Sequence, residues 1–455
     1  MNEPARPSVR RAWALTYPLL IAGLTQIVVN VVDTAMLARL STGALSAFAL
    51  AAPVYLVALI VVRGWATAVQ VQVAQRHGAG RPDEVAGTVR VGLVLSVGAG
   101  AAVGALLYGT AAPVLALLGA PDELIGPGAA YLRVMAFAVP FAAVSFTLQG
   151  ACAGIGATRI SMYAALLVNV VNLPLGLLLI FRAGLGVTGA ALATLAATAV
   201  GAGCAALYSR SRLPRYGGTA GTAVGVTRKL WRIGWPEMST SGIGYLNEAL
   251  LAGFAARIGT HDLAAYRIVD NLILVIFTFL GSASAAVMIL AGQELGRDDV
   301  EGAAAWHRTG LRLMLIMVAV PSALALAFGR PLISLVTDDP QVIDRAWAAT
   351  PLALLSLAPF VVALSHAALL RAAGDTRAVM FASVTSDYLL LIPLGWLLGV
   401  HAGLGLPGIY LAWIAFGLLY AALLQLRHRR RFAGAAGGSG RSPAPTAPAS
   451  SSADG

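Results

Sequence analysis

Gln26, Asn30 and Asp33 stand at steps of four and three in the otherwise apolar stretch YPLLIAGLTQIVVNVVDTAML. That spacing puts all three on one face of a helix. A carboxylate backed by amides one and two turns away is the donor set of a cation or proton site. A low-dielectric surround disfavours the charged carboxylate, a property that suits proton exchange. Other polar groups interrupt apolar runs in the same way. Asn169 and Asn172 share a face just before Pro174, with Ser161, Tyr163 and Thr194 as neighbours to be expected. Asn247 and Glu248 lie together, and Asp387 follows Thr385 and Ser386 before Pro393. A charge in an apolar span costs about 2.5–3.5 kcal/mol on insertion scales, so each needs a partner or a task. A proline frees a backbone carbonyl that can serve as a further cation ligand.

Plainer roles compete with these. Asp33 could cap its helix or pair with Arg39, Asp270 could pair with Arg267, and Glu237 after Trp235-Pro236 reads as a helix N-terminal charge. Arg63 should snorkel outward or meet one of the acids. Gln70, Gln72 and Gln149 have the character of helix–helix hydrogen-bonding groups. Phe137, Phe141, Tyr163 and Tyr245, with Gln149, are candidates for the lining of a cavity that takes lipophilic cations. Cys152 and Cys204 both lie in apolar segments and match no disulfide, zinc or redox pattern. There is no Walker A loop, no GxGxxG in a βαβ setting and no HExxH, so neither ATP-driven pumping nor metalloenzyme chemistry is expected, and no enzyme. The expected metal and cofactor complement is none, apart from a proton or sodium ion as coupling ion.

The elements that position these residues follow from composition. Of 455 residues, 58% are hydrophobic and 11% charged, with a mean hydropathy of +0.79. Soluble domains carry about 25% charged residues, so this chain lacks the charge to coat a water-exposed surface. An all-α integral membrane protein is the class that fits. Spans of about 20 apolar residues fall near 12–38, 44–74, 90–118, 129–152, 160–181 and 185–208, then near 229–256, 261–292, 304–328, 343–370, 378–400 and 404–426. Residues 1–11 form an N-terminal segment, and 209–227 form a basic, glycine-rich linker. Residues 431–455 are rich in Gly, Ser, Ala and Pro and should be disordered. The first apolar run has no cleavage site and reads as a retained span.

The net charge of +11 does not point to nucleic acid, because the charges sit in short loops. Twelve spans put both termini on one side, and that side carries 23 of the 31 basic residues. The positive-inside rule therefore places both termini in the cytoplasm of a multi-pass protein of the cell (plasma or inner) membrane.

The chain repeats itself. Pro174–Thr194 aligns without gaps on Pro393–Trp413, with 12 of 21 positions identical. Gly156-Ala157-Thr158-Arg159 matches Gly374-Asp375-Thr376-Arg377, and Pro18 matches Pro236, at nearly the same offset. A repeat of six spans gives two halves of like orientation, 12–208 and 228–430, related by an axis along the membrane normal. Two such halves rocking about a central site is the geometry of alternating access. Counted back from Gly43 and Gly259, Asp33 and Glu248 hold nearly equivalent places.

In order along the chain, Pro18…Gln26…Asp33-Thr34-Ala35-Met36, Gly43…Leu45…Ala47, Gln75…Gly78-Ala79-Gly80, Gln149-Gly150…Gly154-Ile155-Gly156-Ala157-Thr158, Gln293…Gly296 and Arg371-Ala372-Ala373-Gly374-Asp375-Thr376 resemble the multidrug and toxic compound extrusion (MATE) family, in its DinF-like branch. The resemblance covers about residues 12–430. It implies two six-helix bundles around a V-shaped central cavity. It also implies export of amphipathic, often cationic compounds in exchange for protons or sodium ions. By the same resemblance, Asp33, Asn172 and Thr194 take the places of an N-lobe cation site. Gly176 stands where that site has a second carboxylate, and the C-lobe acids of sodium-type members fall near Gly244 and Phe360. One carboxylate suits a proton better than a bare sodium ion.

The resulting expectation is a monomeric secondary antiporter coupled to inward proton flux, with sodium as the lesser alternative. Its coupling residues would be drawn from Asp33, Asn30, Gln26, Asn169, Asn172, Thr194, Glu248 and Asp387. Its partners would be lipophilic or cationic small molecules and the lipid bilayer. A flippase of lipid-linked precursors, whose cavity should show clustered arginines, and an uncoupled receptor or scaffold homologue are the rival readings.

Overall fold

The computed structural model describes residues 7–214 and 223–436, all helices and short turns, with no strand among them. The helices are α1 (Val9–Leu40), α2 (Thr42–Gly78), α3 (Pro82–Leu117), α4 (Asp122–Gly154), α5 (Arg159–Arg182) and α6 (Gly186–Arg212), followed by α7 (Ala223–Ile258), α8 (Thr260–Gly296), α9 (Val300–Ser334), α10 (Pro340–Ala372), α11 (Thr376–His401) and α12 (Gly405–Ala436). Eleven are long and apolar enough to cross a membrane. The other is α7, equally long but made more polar by Ser239, Thr240, Ser241, Asn247 and Glu248. Helix α6 runs four residues beyond 208 and α7 starts at Ala223, so the linker is shorter than the expected 209–227. Part of it, 215–222, lies outside the described residues. Helix α12 likewise continues to Ala436, and the expected tail from 437 onward lies outside the description.

Capping explains where several helices begin. The Ser41 hydroxyl accepts the Ala44 amide at 3.0 Å and starts α2, and Asp299 accepts the Gly302 amide at 2.7 Å and starts α9. Asp339 accepts from Gln341 at 2.9 Å, with Pro340 at the first helical position. Helices α5 and α11 both run on through their prolines, Pro174 and Pro393. Helix α5 passes through Pro174 and widens into a π turn only at Leu178–Arg182. Helix α11 widens at Asp387–Leu391 and Gly395–His401, on either side of Pro393.

The repeat is visible in the backbone. Gly184 and Gly403, Gly186 and Gly405, and Gly156 and Gly374 all take positive φ at matching places in the two halves. Gly189 of α6 lies against the Leu179 backbone, and Gly408 of α12 lies against that of Leu398, its counterpart. Helices α4 and α10 are each the most buried span of their half. Helix α4 packs on α2, α3 and α6, while α10 packs on α8, α9 and α12.

The halves meet through α1 and α2 against α7 and α8, chiefly near the end that bears both termini. There Gln75 Nε2 donates to the Ala372 carbonyl at 2.6 Å, and Gln293 Nε2 donates to the Gly154 carbonyl at 2.8 Å. These bonds are mates under the repeat. Between them, a Cβ at Gly78 would overlap the Gln293 carbonyl, and a Cβ at Gly296 would overlap that of Gln75. Trp65 meets Trp231 at 5.7 Å, and Gly64 and Gly23 lie close to Met238 and Thr278. Among the described residues no hydrogen bond or ion pair joins the halves beyond those positions. Gln26, Asn30 and Thr34 of α1 and Ser241 and Tyr245 of α7 are exposed there, as expected of the walls of a cleft opening away from the termini.

Because the two backbones touch at Gly78 and Gly296, Gly78→Ala and Gly296→Ala should each open the same end. Amide hydrogen exchange should rise about tenfold or more in both 75–80 and 293–298, whichever glycine is changed. Exchange confined to the mutated segment, or unchanged, would show that the contact does not hold the halves together.

Candidate functional site

In the first half, Asn172 is buried and its Nδ2 donates to Thr194 Oγ1 at 3.0 Å, while Thr194 donates to its own helix at Ala190. Gly176, one turn further along α5, packs against α1. A Cβ there would meet the Met36 sulfur at 3.4 Å and Ala193 at 4.0 Å. At Gly176 itself there is no carboxylate, and the nearest side-chain atom is the Met36 sulfur. Asp33 lies one turn before Met36 on the same helix, half-buried, close enough to Tyr131 for electrostatic contact. It makes no hydrogen bond and no ion pair with any described residue. The pairing with Arg39 is not formed, because that side chain is exposed at the helix end. Gln26 and Asn30 are exposed on the same helix. Asn169 turns back to the Ala165 carbonyl at 2.8 Å and does not join Asn172.

The second half holds more acid. Tyr266 donates to Glu248 Oε1 at 2.9 Å and stacks on Tyr410 at 6.3 Å, whose buried hydroxyl has no partner. Asp270 stands within electrostatic reach of Glu248 and Tyr410. Its expected ion pair with Arg267 is not formed; Arg267 is exposed and acts only at longer range. Asp387 is buried at the start of its π turn and accepts from Ser383 Oγ at 3.4 Å. Asn247 faces it without hydrogen-bond geometry, and both amide atoms are buried and unpartnered. Helices α7, α8 and α12 thus converge on Glu248 and Asp270, and α7 and α11 on Asp387. Sequence reasoning found Glu248 and Asp387 but missed Tyr266, Tyr410 and Ser383. Tyrosines in an apolar helix carry no spacing signal until a partner is known.

Glu237 is not a helix N-terminal charge. Helix α7 starts 14 residues earlier, and Glu237 pairs with Arg371 of α10 at 2.8 Å. In the turn before α11, burial raises the Asp375 carboxyl, but hydrogen bonds from Arg427 and Arg431 outweigh it and hold Asp375 below its usual value. Of the cavity candidates, Gln149 bonds to Ser145 of its own helix at 2.8 Å. Phe137 meets Tyr108, Tyr163 meets Tyr208, and Phe141 and Tyr245 are exposed. No ring contact joins any two of these four aromatics, so they do not form one aromatic box. Arg63 meets no acid; its guanidinium lies 4.8 Å from the centre of the Phe146 ring.

Two pseudo-symmetric helical halves about a cleft, with carboxylates set within apolar spans, define a secondary membrane transporter. The MatE family profile matches residues 18–178 and 243–397. The chain belongs to the MatE family. It is similar to the multidrug resistance protein MdtK of Yersinia pseudotuberculosis, at 26% identity over 430 residues, covering 92% of this chain and 94% of that protein. Its fold matches a MATE crystal structure in the straight conformation, with a TM-score of 0.88 at 18% identity over 94% of this chain and 97% of that one. It matches the MATE transporter VcmN of Vibrio cholerae equally well, with a TM-score of 0.88 at 20% identity over the same shares of the two chains. A further match with a TM-score of 0.88, at 18% identity over 94% of this chain and 97% of that one, is a MOP superfamily transporter of Pyrococcus furiosus, described as having a binding pocket of reverse polarity.

Asn172 is buried at its end of the Asn172–Thr194 bond, so removing the acceptor strands its amide. Thr194→Val should cost about 1–3 kcal/mol and lower the melting temperature of the detergent-solubilised protein, whereas Thr194→Ser should melt near the wild type. Equal melting of Thr194→Val and wild type would remove the bond from the account.

Proposed function

We propose that this protein exports amphipathic, cationic small molecules from the cytoplasm in exchange for inward-moving protons, by alternating access of its two halves. The end bearing both termini faces the cytoplasm, in keeping with its excess of arginine. The cleft between the halves is then the outward-facing state. Export of several chemically unlike compounds is supported by the likeness to MdtK, a multidrug resistance protein, and by a wall of exposed apolar and aromatic side chains.

Asp33 carries the coupling. The observation that supports this is its lack of any fixed partner, although it stands half-buried beside the Asn172–Thr194 pair. Glu248 is held by Tyr266, and Asp387 by Ser383; a carboxylate already committed to a donor is less ready to take and release an ion. Asp270 also makes no hydrogen bond or ion pair with a described residue, but it shares its surroundings with Glu248, whereas Asp33 has no second acid beside it. With Gly176 in α5, Asp33 is the one carboxylate of the first half away from a helix's first turn. One carboxyl is neutralised by one proton, whereas a bare sodium ion needs a shell of several oxygens. A proton shifts the balance of two states only if it binds one more tightly than the other, so protonated Asp33 favours the state that has released its cargo.

Purified protein in liposomes with an imposed pH gradient should drive efflux of a fluorescent lipophilic cation. Asp33→Asn should reduce that efflux to the level seen without a gradient, while Glu248→Gln keeps most of it. Undiminished, pH-independent transport in Asp33→Asn would contradict the assignment of Asp33, and drive by a sodium gradient alone would contradict proton coupling.

A further inference from the structure

Arg63 is the one basic residue that sequence reasoning placed well inside a span, near the middle of α2. Its side chain is exposed at a place where the two halves meet, as expected of a residue lining a cleft. Its neighbours come from both halves: Phe146 of α4, Tyr55 of its own helix, and Tyr245 across the divide on α7. Gly64, the next residue, touches Met238 of α7, so Arg63 stands where the two halves part. The guanidinium makes no hydrogen bond and no ion pair with any described residue. Glu237, next to the Met238 that touches Gly64, is paired with Arg371; Glu248 is engaged by Tyr266, and Asp33 lies beyond the buried tyrosines 55 and 131.

A permanent charge at this depth is costly and is retained where it meets a counter-charge. No side chain supplies one. The Phe146 ring holds one face of the guanidinium at cation–π distance, which leaves the N–H edge open. That edge is a planar fork matched to the two oxygens of a carboxylate or phosphate. Exposed Tyr245 offers apolar surface beside it.

We infer that Arg63 is an anion-recognition residue of the cleft, binding a carboxylate or phosphate group on the amphiphiles this protein carries. The inference rests on the export reading and narrows it. The favoured cargo carries one acid group beside an apolar body, with the acid on Arg63 and the apolar part against Tyr245. The lipid-linked reading of the cleft lacks the arginine cluster it needs, and a single arginine suits a single acid group.

The test uses the full-length protein in nanodiscs and two dyes that differ only at one group, a rhodamine with a free benzoate and its methyl ester. Wild type should bind the free acid about tenfold more tightly than the ester. Arg63→Gln should lose that preference by weakening the acid about tenfold and leaving the ester unchanged, and Arg63→Lys should keep part of it. Discs with and without phosphatidylglycerol identify the natural source of the anionic group. Competition by this lipid assigns the site to a headgroup phosphate, and its absence assigns the site to a soluble amphiphile. Equal binding of acid and ester by wild type, or an equal loss of both in Arg63→Gln, would overturn the inference. Proton-driven efflux of the ester separates the two levels. If it persists while the acid preference is absent, only the anion site fails; if neither dye binds or moves, the export reading fails with it.

Discussion

Two glutamines and two glycines hold the molecule in the state described here. Gln75 and Gln293 each reach across to a backbone carbonyl of the other half, and Gly78 and Gly296 let the two backbones come close enough for them to do so. Both bonds are neutral, each worth about 0.5–1.5 kcal/mol net, and apolar contacts such as Trp65 on Trp231 add to them. The ion pairs of the described residues lie inside single halves. The Glu237–Arg371 and Asp375–Arg427 pairs and the tight seats of Gly189 and Gly408 tie helices within a lobe and leave the lobes free to move as bodies.

The backbone is nearly symmetric and the chemistry is not. Both halves share the glycine turns, the π turns after their fifth and eleventh helices, and the central positions of α4 and α10. The first half sets one carboxylate, Asp33, on the helix that packs against the Asn–Thr pair's helix, and the second gathers Glu248 and Asp270 around two stacked tyrosines, with Asp387 apart on Ser383. A duplicated scaffold supplies the motion, and divergence of a few side chains decides which half answers to an ion. Arg63 carries the same division into the cleft, since its counterpart under the repeat, Gly281, has no charge.

Much of this was legible in the sequence. A stretch with 12 of 21 positions identical to another announced the repeat, and hydropathy counted the spans. The 218-residue offset between Gln75 and Gln293 already paired the residues that close one end. Pairwise contacts across helices were less accessible. Arg267 stands one turn from Asp270, and Arg39 less than two from Asp33, yet neither pair forms. Spacing fixes which face a residue occupies, while the choice of partner depends on the neighbouring helix. Pro174 misled in a similar way. The helix absorbed it and placed the irregularity four residues later, where a π turn lets Gly189 seat against Leu179. Tyr266 and Tyr410 were invisible because only the fold brings them to Glu248.

Alternating access makes one demand that a static scaffold does not: when one end opens, the other must close. Spin labels at Ala79→Cys and Asp298→Cys would span the end that bears the termini, and labels at Arg39→Cys and Arg257→Cys the opposite end, with Cys152 and Cys204 replaced by alanine. Pulsed electron–electron distance measurements at alkaline and at mildly acidic pH would then follow both ends. The account predicts that the two distances change in opposite senses between the pH values, and that Asp33→Asn abolishes the change. Distances that stay fixed, or that lengthen together, would contradict it.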